Sequence, residues 1–209
     1  MATPTRLTRV QRKAETRALL LSSAVTVLAR RGVERASIDE VAEHAGFTKG
    51  AFYASFASKE DLFLTMVDVH FADVLGRLDD VLHHDVELED QAREGAASFM
   101  DYIAADPDWE RLFFDFSSYA TRHEGFRVEL VARRTALREG IAQLLQLRVD
   151  ELEMEPPIPV ADLAMMLFAM ADGIALQKLL DPDSVPAELY PTMLATFFAG
   201  LTPSARPRG

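Results

Sequence analysis

The chain is 209 residues long, room for one large domain or two small ones, and 49% of it is apolar, enough for a sizeable core. It contains no cysteine, which excludes disulfides and thiolate chemistry. Its net charge of −11 counts against a uniformly basic nucleic-acid binder, yet the charge is unevenly spread. Residues 1–62 carry ten Lys/Arg against seven Asp/Glu, a balance of +3, and the remainder carries twelve against twenty-six, a balance of −14. The excess is sharpest in residues 1–31, where seven Lys/Arg face Glu15 alone. A basic end on an acidic body fits a protein that touches nucleic acid through one surface and repels it elsewhere. No apolar run approaches the roughly 20 residues of a membrane span, so no membrane partner is expected. The basic stretch up to Arg17 followed by ALLLSSAVTVLA imitates a secretory leader. Ser22, Ser23 and Thr26 within it, and its direct run into the next helix, argue against one.

Residues 1–13 read as a flexible basic arm, with Pro4 and scattered threonines at its start. Arg6, Arg9, Arg12 and Lys13 could reach phosphates or a minor groove, or simply be solvated. Overlapping the arm's end, a first long helix runs from about Arg9 to Arg31, with Leu20, Ala24, Val27 and Leu28 as its inner stripe. Arg30 and Arg31 suit its C-terminal dipole, and Gly32 stops it.

The stretch SIDEVAEHAGFTKGAFYASF, residues 37–56, reads as two short helices joined by a tight turn. Ser37 and Glu40 form a capping box. Ile38, Val41, Ala42 and Ala45 put one apolar face inward, and Gly46 supplies a left-handed residue at the helix end. Phe47 is expected to fill the inside of the turn. Thr48 caps the next helix, expected over Lys49–Phe56, whose Phe52 and Phe56 stand four apart and anchor it to the core. Lys49, Gly50, Tyr53 and Ala54 are left on the free face. Small and basic residues there suit a DNA major groove. Gly50 is informative because glycine inside a helix costs roughly 1 kcal/mol against alanine. It removes a side chain where a backbone needs close approach, or it is merely tolerated near a helix end.

Ser58 and Asp61 cap a fourth helix. Lys59 sits in its first turn, where the dipole disfavours a cation. A phosphate opposite would explain it; an ordinary exposed lysine is the alternative. Behind the capping serine and two short helices, Thr48, Lys49, Gly50, Phe52, Tyr53, Phe56, Ser58, Lys59, Glu60 and Leu62 spell T-K-G-x-F-Y-x-x-F-x-S-K-E-x-L. This resembles the TetR family of transcriptional repressors over about the first 74 residues. Later residues resemble the family only in length, helical content and style. Residues 14–74 are accordingly expected to form the helix-turn-helix DNA-binding domain, 75–201 an effector-binding and dimerisation domain, and 202–209 a disordered tail.

The fourth helix is expected to continue to about His84, with Leu62, Phe63, Met66, Val67, His70 and Val74 at helical spacing. About 25 residues at 1.5 Å each is near 38 Å, long enough to serve both domains as a lever or as an inert spacer. His83 and His84, with Asp79, Asp80 and Asp85, read as a polar helix end leading into VELED rather than as a metal site, because adjacent helical histidines diverge. A fifth helix is expected from about Glu89 to Ala105, and Asp106-Pro107 ends it and starts a sixth, rich in aromatics. A seventh spans about Glu124 to Arg148, with Arg133, Arg134 and Arg138 on a solvated face. The last two run from about Val160 to Leu180 and from about Pro186 to Leu201. Both are apolar on most sides, so each must be covered on most sides. No strand pattern survives, and the fold reads as all-α with about nine helices.

The resemblance implies a homodimeric, ligand-controlled, cytoplasmic regulator, usually a repressor on a near-palindromic operator; an activator or an effector-free DNA binder is the alternative. Lys49 is expected to read a base edge, Thr48, Gly50 and Ala51 to approach bases or a thymine methyl, and Ser37, Tyr53 and Lys59 to hold phosphates. At Ala54 and Ser55 the chain departs from the bulkier residues frequent in the family, so fewer contacts are available there, although Ala54 is kept in the DNA-facing set. A small, mostly apolar effector is expected between helices five to eight, against Phe99, Tyr102, Trp109, Phe113, Phe116, Tyr119, Met166 and Met170. Phe168, Ala175, Leu179, Tyr190, Leu194, Phe197 and Phe198 are assigned to a four-helix dimer interface. No glycine-rich phosphate loop, nucleophile elbow or Glu-x-x-His pair is present, so no enzyme, cofactor or metal is expected. Asp115 and Asp172, in apolar surroundings, read as ligand-orienting or hydrogen-bonded core residues.

Overall fold

The computed structural model describes residues 8–82 and 87–201. Among the described residues the fold is all-α, with nine helices: α1 Arg9–Arg31, α2 Ile38–His44, α3 Lys49–Tyr53, α4 Lys59–Leu82, α5 Leu88–Ala105, α6 Pro107–Ala120, α7 Glu124–Glu151, α8 Val160–Leu180 and α9 Leu189–Ala199. The chain divides into two compact units, Met1–Asp68 with Arg111–Leu130, and Val69–Glu110 with Val131–Gly209. The expected boundary between residues 74 and 75 differs from this division, which falls inside α4, α6 and α7. Arg6, the pair His83 and His84 with Asp85, and the tail 202–209 lie outside the described residues.

In the first unit, local chemistry sets each helix end. Thr8 caps α1 in a capping box with Gln11, so Arg9, Arg12 and Lys13, assigned to the arm, are the first turns of a helix. Ser37 and Glu40 form the expected box on α2, and Gly32 and Gly46 take φ of +76° where α1 and α2 end. Thr48 Oγ1 accepts from Ala51 N, and Ser58 Oγ from Asp61 N. α3 is shorter than expected and stops at Tyr53, but Phe52 and Phe56 still meet, with ring centroids 5.6 Å apart. Both are buried with Leu20, Ala24, Val27 and Leu28 of α1.

Residues 111–130 join this unit through aromatic packing. Phe63 of α4 stacks on Phe116 of α6 at 3.6 Å, and Phe126 of α7 lies 5.6 Å from Phe116. Polar contacts follow the same path: Val33 N donates to Asp115 Oδ2 at 2.7 Å, Tyr119 Oη to Glu60, and Arg122 pairs with Glu34. Asp115 is thus hydrogen-bonded but only half-buried.

In the second unit α5 packs on α9, with Phe99 against Tyr190 at 5.4 Å. Arg148 Nε donates to Gln91, whose amide donates to the Leu82 carbonyl. The arginines expected on a solvated face of α7 are drawn inward instead. Arg134 pairs with the half-buried Asp172 of α8 and lies over Phe168, 4.4 Å from its centroid. Arg138 donates to Thr135. One expectation needs correction: α8, with 21 residues, is long and apolar enough by length and composition to cross a membrane. Asp162, Asp172 and Lys178 interrupt its sequence without lowering its average below that mark.

Candidate nucleic-acid interface

The helix-turn-helix presents one face built by default. Phe52 and Phe56 fix α3 from below and Thr48 fixes its start, which turns Lys49, Gly50, Tyr53 and Ala54 outward, all exposed. Ala51 is half-buried. A Cβ added at Gly50 would meet only Thr48 Oγ1, at 3.7 Å, and the backbone there is not left-handed. The fold therefore does not require glycine at this position. Phe47, at the turn, is half-buried, as its expected place inside the turn demands.

Four of the candidate contacts are occupied within the chain, Thr48 by its cap on Ala51 N. Lys49 Nζ pairs with Asp39 Oδ2 of α2 at 2.9 Å, both side chains mostly exposed, and the hydrogen bond with Asp39 raises the lysine above its usual range. Ser37 Oγ accepts from Glu40 N and donates to the Glu40 carboxylate. Its backbone and side-chain hydrogen bonds hold that carboxylate below the usual range. Lys59 Nζ donates to the carbonyls of Val33 and Ala36, each at 2.7 Å, and so ties the α1–α2 connection to the start of α4. Neither expectation for Lys59, phosphate ligand or plain exposed lysine, anticipates this strut. A residue missed in the sequence is Arg17, which donates to the Ser55 carbonyl and Thr65 and covers the Phe56 ring at 4.4 Å. Its place on α1, one turn before Leu20, was the available signal.

The eight residues assigned to an effector pocket fall into two groups. Phe113, Phe116 and Tyr119 belong to the first unit, where Phe116 is fully buried in the stack on Phe63. Phe99, Tyr102, Trp109, Met166 and Met170 belong to the second, with Met166 exposed and Met170 half-buried. Tyr102 and Trp109 enclose His70. Trp109 Nε1 donates to His70 Nε2 at 3.0 Å, which puts the neutral ring's proton on Nδ1, facing Tyr102 Oη at 2.9 Å. Burial pushes His70 down to about 4, against the pull of Asp73. Tyr102, raised by burial, reaches on to Asp73, and Arg77 holds that carboxylate low.

Of the residues assigned to a dimer interface, Phe168, Ala175, Tyr190, Leu194 and Phe198 are buried by the chain's own packing, while Leu179 and Phe197 are half-buried. The residues that α8 leaves uncovered are Ala161, Asp162, Met165, Met166, Ala169, Gly173, Leu176, Gln177 and Leu180, and the apolar ones from Met165 to Leu180 recur at helical spacing along one stripe. On α9, Leu189 is exposed as well.

Residues 20–66 match the family model described as bacterial regulatory proteins, tetR family, and residues 88–203 match the BetI-type transcriptional repressor, C-terminal. The HTH-type transcriptional regulator YfiR of Bacillus subtilis (strain 168) is 29% identical over 185 residues, 86% of this chain and 87% of its own. The HTH-type transcriptional repressor SCO4008 of Streptomyces coelicolor is 29% identical over 163 residues, 75% of this chain and 77% of its own. The crystal structure of the transcriptional regulator FadR from Bacillus subtilis, in complex with stearoyl-CoA, superimposes with a TM-score of 0.73 at 13% identity. That match covers 88% of this chain and 98% of FadR and shows a shared fold.

Proposed function

The chain belongs to the TetR family of DNA-binding transcriptional regulators, a non-enzymatic family, and on that premise we propose that it is a homodimeric repressor released from its operator by a small molecule. The observation that carries the DNA-reading part is the bare face of α3. Gly50 is not needed by the chain's own packing, so its missing side chain is best explained by something outside the chain, the edge of a major groove. Lys49 leaves Asp39 to read a base, a guanine edge being its usual partner, while Thr48, Gly50, Ala51 and Ala54 approach bases. Ser37, Tyr53 and Lys59 position the head on phosphates, Lys59 through the donor its two carbonyls leave over. Two heads reach successive major grooves about 34–36 Å apart on an inverted repeat. The work is done on chromosomal DNA, hence in the cytoplasm.

The uncovered stripe of α8 supports the dimer. An apolar stripe of that length on a regulator needs a cover, and a second copy of the same stripe is self-complementary. The effector is proposed to bind in the second unit, as the likeness to FadR, solved with stearoyl-CoA, encourages, and to act through α4, which runs from one unit into the other. Release requires tighter ligand binding to the state that does not fit DNA, with a coupling of about 1–3 kcal/mol. The test is footprinting on the DNA flanking the chain's own gene, searched for an inverted repeat, together with transcription measured with and without the protein. Protection of an inverted repeat and a rise in transcription on deletion are expected; a protein that ignores every duplex at low salt sinks the proposal, and a fall in transcription makes it an activator.

A further inference from the structure

The first two turns of α1 extend past the core that the rest of the helix covers. Leu20, Ala24, Val27 and Leu28 are buried, and one turn before them Arg17 closes the core. Its guanidinium lies over the Phe56 ring at 4.4 Å and donates to the Ser55 carbonyl at 2.7 Å and to Thr65 at 2.9 Å. Residues 8–15, beyond Arg17, are all exposed. They are helical even so, because the start is held from both sides. Gln11 N donates to Thr8 Oγ1 at 3.2 Å, and Thr8 N to Gln11 Oε1 at 2.8 Å. Two turns of helix without cover draw little stability from the chain itself, since most helical stability comes from packing.

The overhang has a cationic side. Arg9, Lys13 and Arg17 stand four apart and form one row, on the face that continues the buried stripe. The stripe therefore turns from apolar to cationic where the chain's own core ends. The first turn holds no acidic residue, although the helix dipole favours one there and disfavours cations. Glu15, the sole acid in residues 1–31, is two positions from Lys13 and so faces away from it. Arg17 also fixes where the row leaves the core: Ser55 is two residues past Tyr53, the end of α3. Lys13 and Arg9 follow about 6 and 12 Å further along the axis of α1.

We propose that Lys13 and Arg9 grip the sugar-phosphate backbone of operator DNA beside the groove that α3 enters, as a row held rigid by the helix. The inference rests on the DNA-reading head proposed above and adds a second element to it. Such contacts position the head and carry no base preference. Arg17 is a positioning residue here, since it acts by seating the row.

The test is fluorescence anisotropy with the full chain, between 50 and 200 mM salt, on the inverted repeat protected in footprinting and on a duplex of scrambled sequence. Arg9→Gln and Lys13→Gln should each weaken binding to both duplexes by the same factor and flatten the salt slope by about 1 per subunit. Their melting temperatures should match the parent's, because both side chains lie outside the core. Arg12→Gln removes the same charge about 100° round the helix from Lys13 and should leave the slope unchanged. Ala14→Pro keeps every cation but breaks the helix at an exposed position between Lys13 and Arg17, and should weaken binding as much as the double variant Arg9→Gln with Lys13→Gln. Unchanged slopes in Arg9→Gln and Lys13→Gln, an equal flattening in Arg12→Gln, or full binding by Ala14→Pro overturns the rigid row. If the wild-type protein binds the inverted repeat while these results fail, the row alone is wrong. A wild-type protein that binds neither duplex sinks the DNA-reading head along with it.

Discussion

A methyl group at Gly50 has room within the protein, its nearest neighbour being Thr48 Oγ1 at 3.7 Å. Gly50→Ala is therefore expected to stabilise the fold by about 0.5–1 kcal/mol and to weaken operator binding. Thermal melts beside fluorescence anisotropy on operator DNA check both signs; unchanged affinity removes the case for close approach. Lys49 and Lys59 separate differently. Lys49→Ala breaks only an exposed pair with Asp39 and should relax base preference at little cost in stability. Lys59→Ala strips two carbonyls of their partner and should destabilise the chain by about 1–3 kcal/mol. It should also weaken binding to every sequence, with a salt slope flatter by about 1. A lost melting temperature with an unchanged slope makes Lys59 a strut alone.

Two buried titrating groups oppose one another. Glu110 is raised from 4.5 to about 7 on folding, so the native state holds its proton more tightly and stability falls as pH rises through that interval. His70 is lowered from 6.5 to about 4, so the unfolded state binds its proton more tightly and stability falls as pH drops from 6.5 to 4. Each effect is at most about 3 kcal/mol, and they largely cancel between pH 4.5 and 6.5. Denaturant titrations across that window should show Glu110→Gln gaining stability relative to wild type as pH rises; a constant difference between the two proteins contradicts this.

Among the helices, α8 carries the sharpest test. Leu176→Glu alters the uncovered stripe and is expected to give folded monomers in sedimentation. Phe198→Glu, by contrast, puts a charge into the chain's own core and should unfold it, since removing a buried phenylalanine alone costs about 3–5 kcal/mol. A Leu176→Glu protein that stays dimeric places the interface elsewhere. The contrast marks what periodicity can convey. It gave the limits of α1 and α8 to the residue, because caps and breakers are local. It found that α8 and α9 are apolar nearly all round, but not which side the chain covers itself. Periodicity alone therefore cannot tell that Phe168, Tyr190 and Phe198 face the chain's own core, nor that Arg134 meets Asp172, 38 residues away. Likewise the strut from Lys59 spans 26 residues to Val33, beyond any local pattern.

At the scale of the molecule, the helix-turn-helix was legible because each of its parts is a short-range device: a capping box, a left-handed glycine, two aromatics four apart. The domain plan was less so. Phe113, Phe116 and Tyr119 look like pocket lining in an aromatic run, yet Phe116 serves the first unit through its stack on Phe63. Aromatic content says that a core exists nearby, not which one. The uneven charge, +3 in residues 1–62 and −14 beyond, keeps its meaning for the whole chain: one end attracts a polyanion and the other turns it away.

The bare backbone at Gly50 has a genetic consequence. A single base change converts a glycine codon to an alanine codon, and the product is expected to fold at least as well as its parent, since the added methyl has room. In a cell carrying both alleles, the pairing proposed along the α8 stripe would join such subunits to intact ones and leave every mixed pair with one competent half. The mutation is thus expected to be dominant, disabling the regulator while its abundance stays the same.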